Sequence, residues 1–401
     1  MSAVRVRRRL RVAVVTGTRA EYGLLKSTLA AIAVHPRLTL QLVVTGMHVL
    51  RRFGHTVDDI VREGWQIDAR VPMQAGRDDP LDQAVGLSRG VAGIARFLER
   101  ARTDIVLVLG DRIEALAGAL AAVTTGRVLA HIHGGDVAPG DFDDALRDAI
   151  TKLADVHLAA TQAAARRIVA MGESPARVRV VGAPGVDRLR ELIDARPTRA
   201  RHRASSSALV VYHAWGRPAV VEDRTMTTIL RAVASAGLRR VIVYPNTDRG
   251  HRGVLAAIKR HRRTSPRDDV EVYRSLPRDD YLRALLGADV LIGNSSSGIV
   301  EAPPAGTPSI NVGGRQEGRE AGGPSVVHCG ESEQQIWAAL QKALRLRPRS
   351  GGRNVYGDGG AGERIARILA RVRHIGDGPG EVVSRLPLVD RRLRHSLPRR
   401  C

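Results

Sequence analysis

Ala288-Asp289-Val290-Leu291-Ile292-Gly293-Asn294-Ser295-Ser296-Ser297-Gly298-Ile299-Val300-Glu301-Ala302-Pro303 joins an apolar run to hydroxyls, small residues and one carboxylate. A strand buried on both faces of a parallel sheet needs such a run, and residues 298–302 can open a helix whose free N–H groups attract anions. Glu301 would repel a diphosphate, but its carboxylate accepts two hydrogen bonds at once and suits the hydroxyls of a ribose. The stretch predicts a nucleotide site on an α/β fold, with Ser295, Ser296 and backbone taking phosphate and Glu301 taking sugar. A capped helix start alone would look the same, so the other strand ends decide the reading.

Further strands are predicted on either side of this one. In the second half they are 208–212, 240–244, 270–273, 290–292 and 308–311. In the first half they are 11–15, 39–44, 104–109, 128–131, 157–160 and 178–181. Helices are expected at 22–35, 49–63, 80–100, 112–125, 143–153 and 162–171. Alternation of short apolar runs with amphipathic stretches is the pattern of a parallel sheet covered by helices. The polar, proline-bearing stretch around 196–207 is the best boundary. We therefore expect an N-terminal unit over 1–190, a linker over 191–207, a C-terminal unit over 208–375 and a basic tail over 376–401. Two doubly wound halves imply a cleft, with ligands beyond the carboxyl ends of the strands.

Composition narrows the class. A chain of 401 residues, 43% hydrophobic, can bury more than one core. No segment approaches the roughly 20 apolar residues of a membrane span, and the apolar stretch at 12–15 is too short for a signal sequence. Cys329 and Cys401 are the only cysteines, giving neither a disulfide framework nor a metal cluster, so a reducing cytoplasm is expected. A net charge of +22 invites a nucleic-acid reading, yet the arginines are scattered and aromatics make up only 3%, so stacking platforms are lacking. No nucleic-acid or membrane partner is expected.

The strand ends carry the chemistry. Thr16-Gly17-Thr18-Arg19 follows the first strand, and the fork of Arg19 can hold two oxygens of a diphosphate. Asp111 follows the third. His131-Ile132-His133-Gly134-Gly135-Asp136 follows the fourth, with Asp143-Asp144 at the next helix start. Paired carboxyls and histidines there suit acid/base work better than metal binding, and one of His131 and His133 is expected to be buried and hydrogen-bonded. In the second half, His213, Asn246 with Asp248, and Arg315 stand at strand ends facing the same cleft.

Together, Thr16–Tyr22, Gly110–Arg112, His131–Asp136, Asp143–Arg147, Tyr244–Asp248, Asn294–Gly298 and Glu301–Pro303 resemble the UDP-N-acetylglucosamine 2-epimerase family, most closely its hydrolysing branch, which makes N-acetylmannosamine for sialic acid synthesis. The resemblance spans about residues 12–371. It implies a GT-B-like fold of two Rossmann-like domains, with the final helix packed back on the first. It implies C2 proton abstraction, loss of UDP from C1 to leave a glycal, and hydration of that glycal. It assigns Asp111 and Asp143 as catalytic carboxylates, with His213 near the phosphates as acid or electrostatic aid. Arg19, Ser295, Ser296, Glu301 and Arg315 would hold the nucleotide, and Asn246 and Asp248 would line the cleft. No cofactor or metal is implied, and a homodimer or homotetramer is usual.

One departure stands out. Several relatives carry glutamate where His133 stands, and the nearest carboxylate here is Asp136. Either His133 takes a proton-transfer role, or the work is redistributed among Asp111, Asp136 and Asp143. Rival readings are the same reaction on a UDP-2,4-diacetamido-trideoxyhexose or GDP-linked sugar, a non-hydrolysing 2-epimerase, a GT-B glycosyltransferase, and a sugar-nucleotide sensor without turnover. The sensor would keep Ser295, Glu301 and Arg315 but lose the carboxylates, and this chain keeps both sets.

Overall fold

The computed structural model describes residues 8–51, 54–75, 80–137, 143–195, 206–245, 248–266, 269–274, 276–346 and 354–372. Strands β1 (Leu10–Thr16), β2 (Leu38–Thr45), β3 (Ala69–Val71), β4 (Ile105–Leu109), β5 (Val128–Ile132), β6 (Val156–Ala159) and β7 (Val178–Val180) form a first sheet in the order β3-β2-β1-β4-β5-β6-β7. A second sheet runs β10-β9-β8-β11-β12-β13, from β8 (Ser207–Val211), β9 (Arg239–Val243), β10 (Val270–Tyr273), β11 (Val290–Gly293), β12 (Ser309–Val312) and β13 (Val326–Cys329). Every pairing in both sheets is parallel.

The side-chain alternation of a strand explains the layering. Val12 and Val14 enter one layer with Leu25 and Leu29, whereas Ala13 and Val15 enter the opposite layer with Ile94 and Leu98. In the second unit Ala208 and Val210 face Ile229 and Leu340, and Leu209 and Val211 face Leu282 and Leu285. Both faces of each central strand are therefore apolar. Each fully buried aliphatic side chain of this kind contributes about 1.5–3 kcal/mol.

Two elements tie the halves together. Helix Gly185–Asp194 sends Leu189 into the second core, so the chain is still helical where a linker is expected from 191. Residues 196–205 and the basic tail lie outside the described residues. Helix Ala361–Leu369 returns to the first core through Ile365, Ala366 and Leu369. Asp187 fixes its start, accepting from Ala361 N at 3.0 Å and Gly362 N at 2.7 Å. The last helix among the described residues thus packs on the first unit, as the resemblance implies of the final helix.

Predicted strands agree with the observed ones within two residues, and three expectations need correction. Edge strands β3 and β13 are additional. The helix expected over 49–63 is a 3₁₀ turn at Gly46–Val49 followed by helix Val57–Arg62, because Gly54 and His55 adopt positive φ of 91° and 47° between them. The helix expected from 298 is two single turns, Ser297–Val300 and Ala302–Ala305, which meet at Glu301.

Candidate active site

Strand order reverses between β1 and β4 in one sheet and between β8 and β11 in the other, and ligands of open α/β sheets sit at such reversals. The first reversal is followed by Gly17–Arg19 and by Gly110-Asp111. The second is followed by His213 and by Asn294–Ser296.

In the C-terminal half Asn294 is the organiser. Its Oδ1 accepts from His213 N at 2.7 Å and its Nδ2 donates to His213 O at 2.8 Å, locking the end of β8 to the end of β11. Its carbonyl accepts from Arg315 Nη1 at 3.2 Å and Gln316 Nε2 at 2.9 Å. The strands approach so closely that a Cβ on Gly293, at φ 147°, would stand 1.9 Å from Val211 O. Ser295 and Ser296 are half-buried at this rim, and Ser295 Oγ accepts from Ser297 N at 3.4 Å. Glu301 is 3% exposed. Its Oε1 pairs with Arg278 and its Oε2 accepts from Ser297 Oγ at 2.5 Å. Both of its oxygens thus have protein partners, where the sequence reading expects a ribose.

In the N-terminal half Arg147, 2% exposed, gathers the acids. It pairs with Asp111 and with Asp144, and its Nη1 donates to Asp136 O at 3.1 Å. Asp136 Oδ2 meets His133 Nδ1 at 2.9 Å and Arg319 Nη1 at 3.1 Å, and the second contact crosses between the units. His133 itself holds a left-handed backbone, φ 64°. His131 is the buried one of the two histidines. Its Nε2 lies 2.8 Å from Gly110 O and its Nδ1 3.3 Å from Thr151 Oγ1. Arg19 Nη2 lies 3.4 Å from Asp59. Asn246 is outside the described residues.

The electrostatics separate these carboxyls. Burial, then the charges of Asp111 and Asp248, push Asp143 up to about 6, against Arg112 and Arg147. Burial also opposes ionisation of Asp136, but His133, Arg319 and Arg147 outweigh it and hold that carboxyl at about 2. Burial and Arg315 push the His213 imidazole down to about 3, so it is neutral. Burial lowers the proton affinity of Arg315, against the charges of Asp248, Asp143 and Asp111, so these acids of both units act electrostatically on Arg315 as Arg315 acts on His213. Acid/base partners arise where environments drive carboxyl pKa values apart in this way. Among the described residues no three His, Cys, Asp or Glu side chains are grouped to hold a metal ion.

Residues 30–370 match the family described as UDP-N-acetylglucosamine 2-epimerase. The chain belongs to that family. A UDP-N-acetylglucosamine 2-epimerase from Neisseria meningitidis is 32% identical over 84% of this chain and 88% of its own. A hydrolysing UDP-N,N'-diacetylbacillosamine 2-epimerase from Legionella pneumophila is 31% identical over 89% of this chain and 95% of its own. Among solved structures, one of a UDP-GlcNAc 2-epimerase from Neisseria meningitidis bound to UDP-GlcNAc superposes with a TM-score of 0.73 at 16% identity, covering 90% of this chain and 99% of that one. The architecture is the GT-B-like one of these epimerases.

For this 2-epimerase-family enzyme, sequence reasoning quotes Arg112, Arg147 and Asn294 inside its motifs but assigns them no role, and it assigns none to Arg319. Spacing offered one signal: Arg147 stands three and four residues after Asp144 and Asp143, on one helix face. Nothing local marks Arg319, whose partner Asp136 is 183 residues away.

Proposed function

We propose that this enzyme is a hydrolysing 2-epimerase that converts UDP-N-acetylglucosamine and water to N-acetylmannosamine and UDP. The observation that carries the reading is Asp143, raised to about 6 at the carboxyl ends of the strands and under the influence of Arg112, Arg147 and Arg315, cations suited to a departing diphosphate. A carboxylate removes the C2 proton, the C–H electron pair forms the C1–C2 double bond, and the C1–O bond breaks with its electrons leaving on UDP. Asp143 has the proton affinity that general-base work near neutrality needs, so the C2 proton is assigned to it. Water then adds across the glycal, its hydroxyl to C1 and a proton to C2 from the opposite face. Asp111, gripped by Arg147, handles that water, with His133 and Asp136 beside it.

Arg19, Arg315, Ser295, Ser296, Asn246 and Asp248 hold the UDP. Glu301 reaches the ribose on exchanging Arg278 or Ser297 for the sugar hydroxyls. His213 stays neutral until a diphosphate arrives, whose charge raises its proton affinity and lets it stabilise the leaving group. The same reading carries a homodimer or homotetramer working in the cytoplasm, with the assembly measurable by light scattering.

The Legionella pneumophila relative supports a second reading, the same hydrolysis on a UDP-2,4-diacetamido-trideoxyhexose. Chromatography of reactions with each sugar nucleotide separates the two. Free UDP and free 2-epimer from UDP-N-acetylglucosamine are expected. Their formation only from the diacetamido sugar establishes the second reading, and a 2-epimerised sugar still joined to UDP contradicts both.

A further inference from the structure

Glu114 and Glu21 take no part in these steps, yet both lie under the N-terminal rim of the cleft. Glu114, in the first turn of helix Ile113–Thr124, is fully buried. Its Oε2 accepts from Arg112 Nε at 3.2 Å and its Oε1 from Gln74 Nε2 at 3.1 Å. The same side chain fills the space that two glycines leave open. A Cβ on Gly17 would stand 2.4 Å from Glu114 Cγ, and one on Gly46 would stand 2.5 Å from its Oε1. One carboxylate thus braces the turns after β1, β2 and β4. Those turns carry Arg19 and Arg112, and Arg112 feels Asp248 of the opposite unit. Glu21 lies against the same turn: its Oε2 accepts from Gly17 N at 3.1 Å, and its buried Oε1 has no hydrogen-bond partner among the described residues.

We propose that Glu114 is a positioning residue for nucleotide binding, fixing Arg112 and the Arg19 turn against the cleft, with Glu21 as a second carboxyl that takes over its charge. The inference rests on the reading of the cleft as a UDP-sugar site. The Arg112 side chain keeps 38% of its surface exposed while the buried Glu114 carboxylate holds its Nε, and a rigid fork binds phosphate only when its plane is fixed in this way. Two buried carboxyls beside one arginine do not both ionise readily. Burial first, then Glu114 and Asp111, push Glu21 up to about 8, against the Gly17 N–H and Arg112. The nearby His48, between Thr16 and Thr56, is neutral, pushed down to about 4 by burial. Neutralising Glu114 therefore lowers the proton affinity of Glu21 and lets it ionise in Glu114's place.

Calorimetric titration of the full chain with UDP tests this, using wild type, Glu114→Gln and the double variant Glu114→Gln with Glu21→Gln. Near pH 6 the single variant is expected to bind UDP about tenfold more weakly than wild type, with the gap closing to about threefold or less near pH 8.5. The double variant is expected to stay weak at both. Wild-type affinity of Glu114→Gln near pH 6, or recovery of the double variant near pH 8.5, overturns the inference. Glu114→Asp, which keeps the charge but shortens the reach, is expected to raise KM and spare kcat, and an unchanged KM also overturns it. Failure of the wild type to bind UDP overturns the cleft reading itself and is seen without any variant.

Discussion

On the proposed mechanism Asp143 decides most about the chemistry. A base works only when ionised, and the Asp143 carboxyl sits at about 6, so kcat/KM should climb as pH rises through about 6. Asp143→Asn should remove that limb and lower turnover by about a thousandfold or more, while UDP still binds. Asp111→Asn should likewise abolish turnover with UDP binding kept, and Arg315→Ala should weaken UDP by about tenfold or more. Full activity in either carboxamide variant removes that residue from the mechanism. Glu21 makes a separate prediction about stability. Its folded pKa, about 8, lies above the ordinary carboxyl value, so the stability its neutral burial provides is complete at low pH and lost as pH rises toward 8. Glu21→Gln should therefore raise the melting temperature at pH 8 and change it little at pH 4.

At the scale of elements, the adjacent carboxyl ends of parallel strands β8 and β11 build what is proposed as the nucleotide side of the site. Gly293→Ala forces a methyl onto Val211 O at a φ that side chains avoid, and should cost about 3 kcal/mol or more, read as a lower melting temperature. Sequence periodicity found these central strands because both faces are apolar. It missed β3 and β13, three- and four-residue edges whose single covered face leaves little pattern to read. The motif at 294–301 was legible as a polar strand end. The capture of Glu301 by Arg278 was not, since that pairing joins separate elements across the tertiary fold. Local spacing exposes groups on one helix, such as Asp144 and Arg147, and is blind to partners brought in by topology.

On the proposed reading the whole molecule places acids mainly on the first unit and the groups assigned to phosphate mainly on the second, and Arg319 crosses between them to Asp136. Arg319→Met should lower kcat about tenfold or more while changing UDP affinity little, because it frees a carboxyl beside the reacting sugar rather than a phosphate contact. Loss of UDP affinity with kcat intact would place Arg319 on the nucleotide instead. The most direct test of hydrolytic epimerisation is proton NMR of the enzyme with UDP-N-acetylglucosamine in heavy water. Free UDP with N-acetylmannosamine deuterated at C2 is the predicted result. Product that keeps its C2 proton, or UDP-linked epimer with no free sugar, would contradict it.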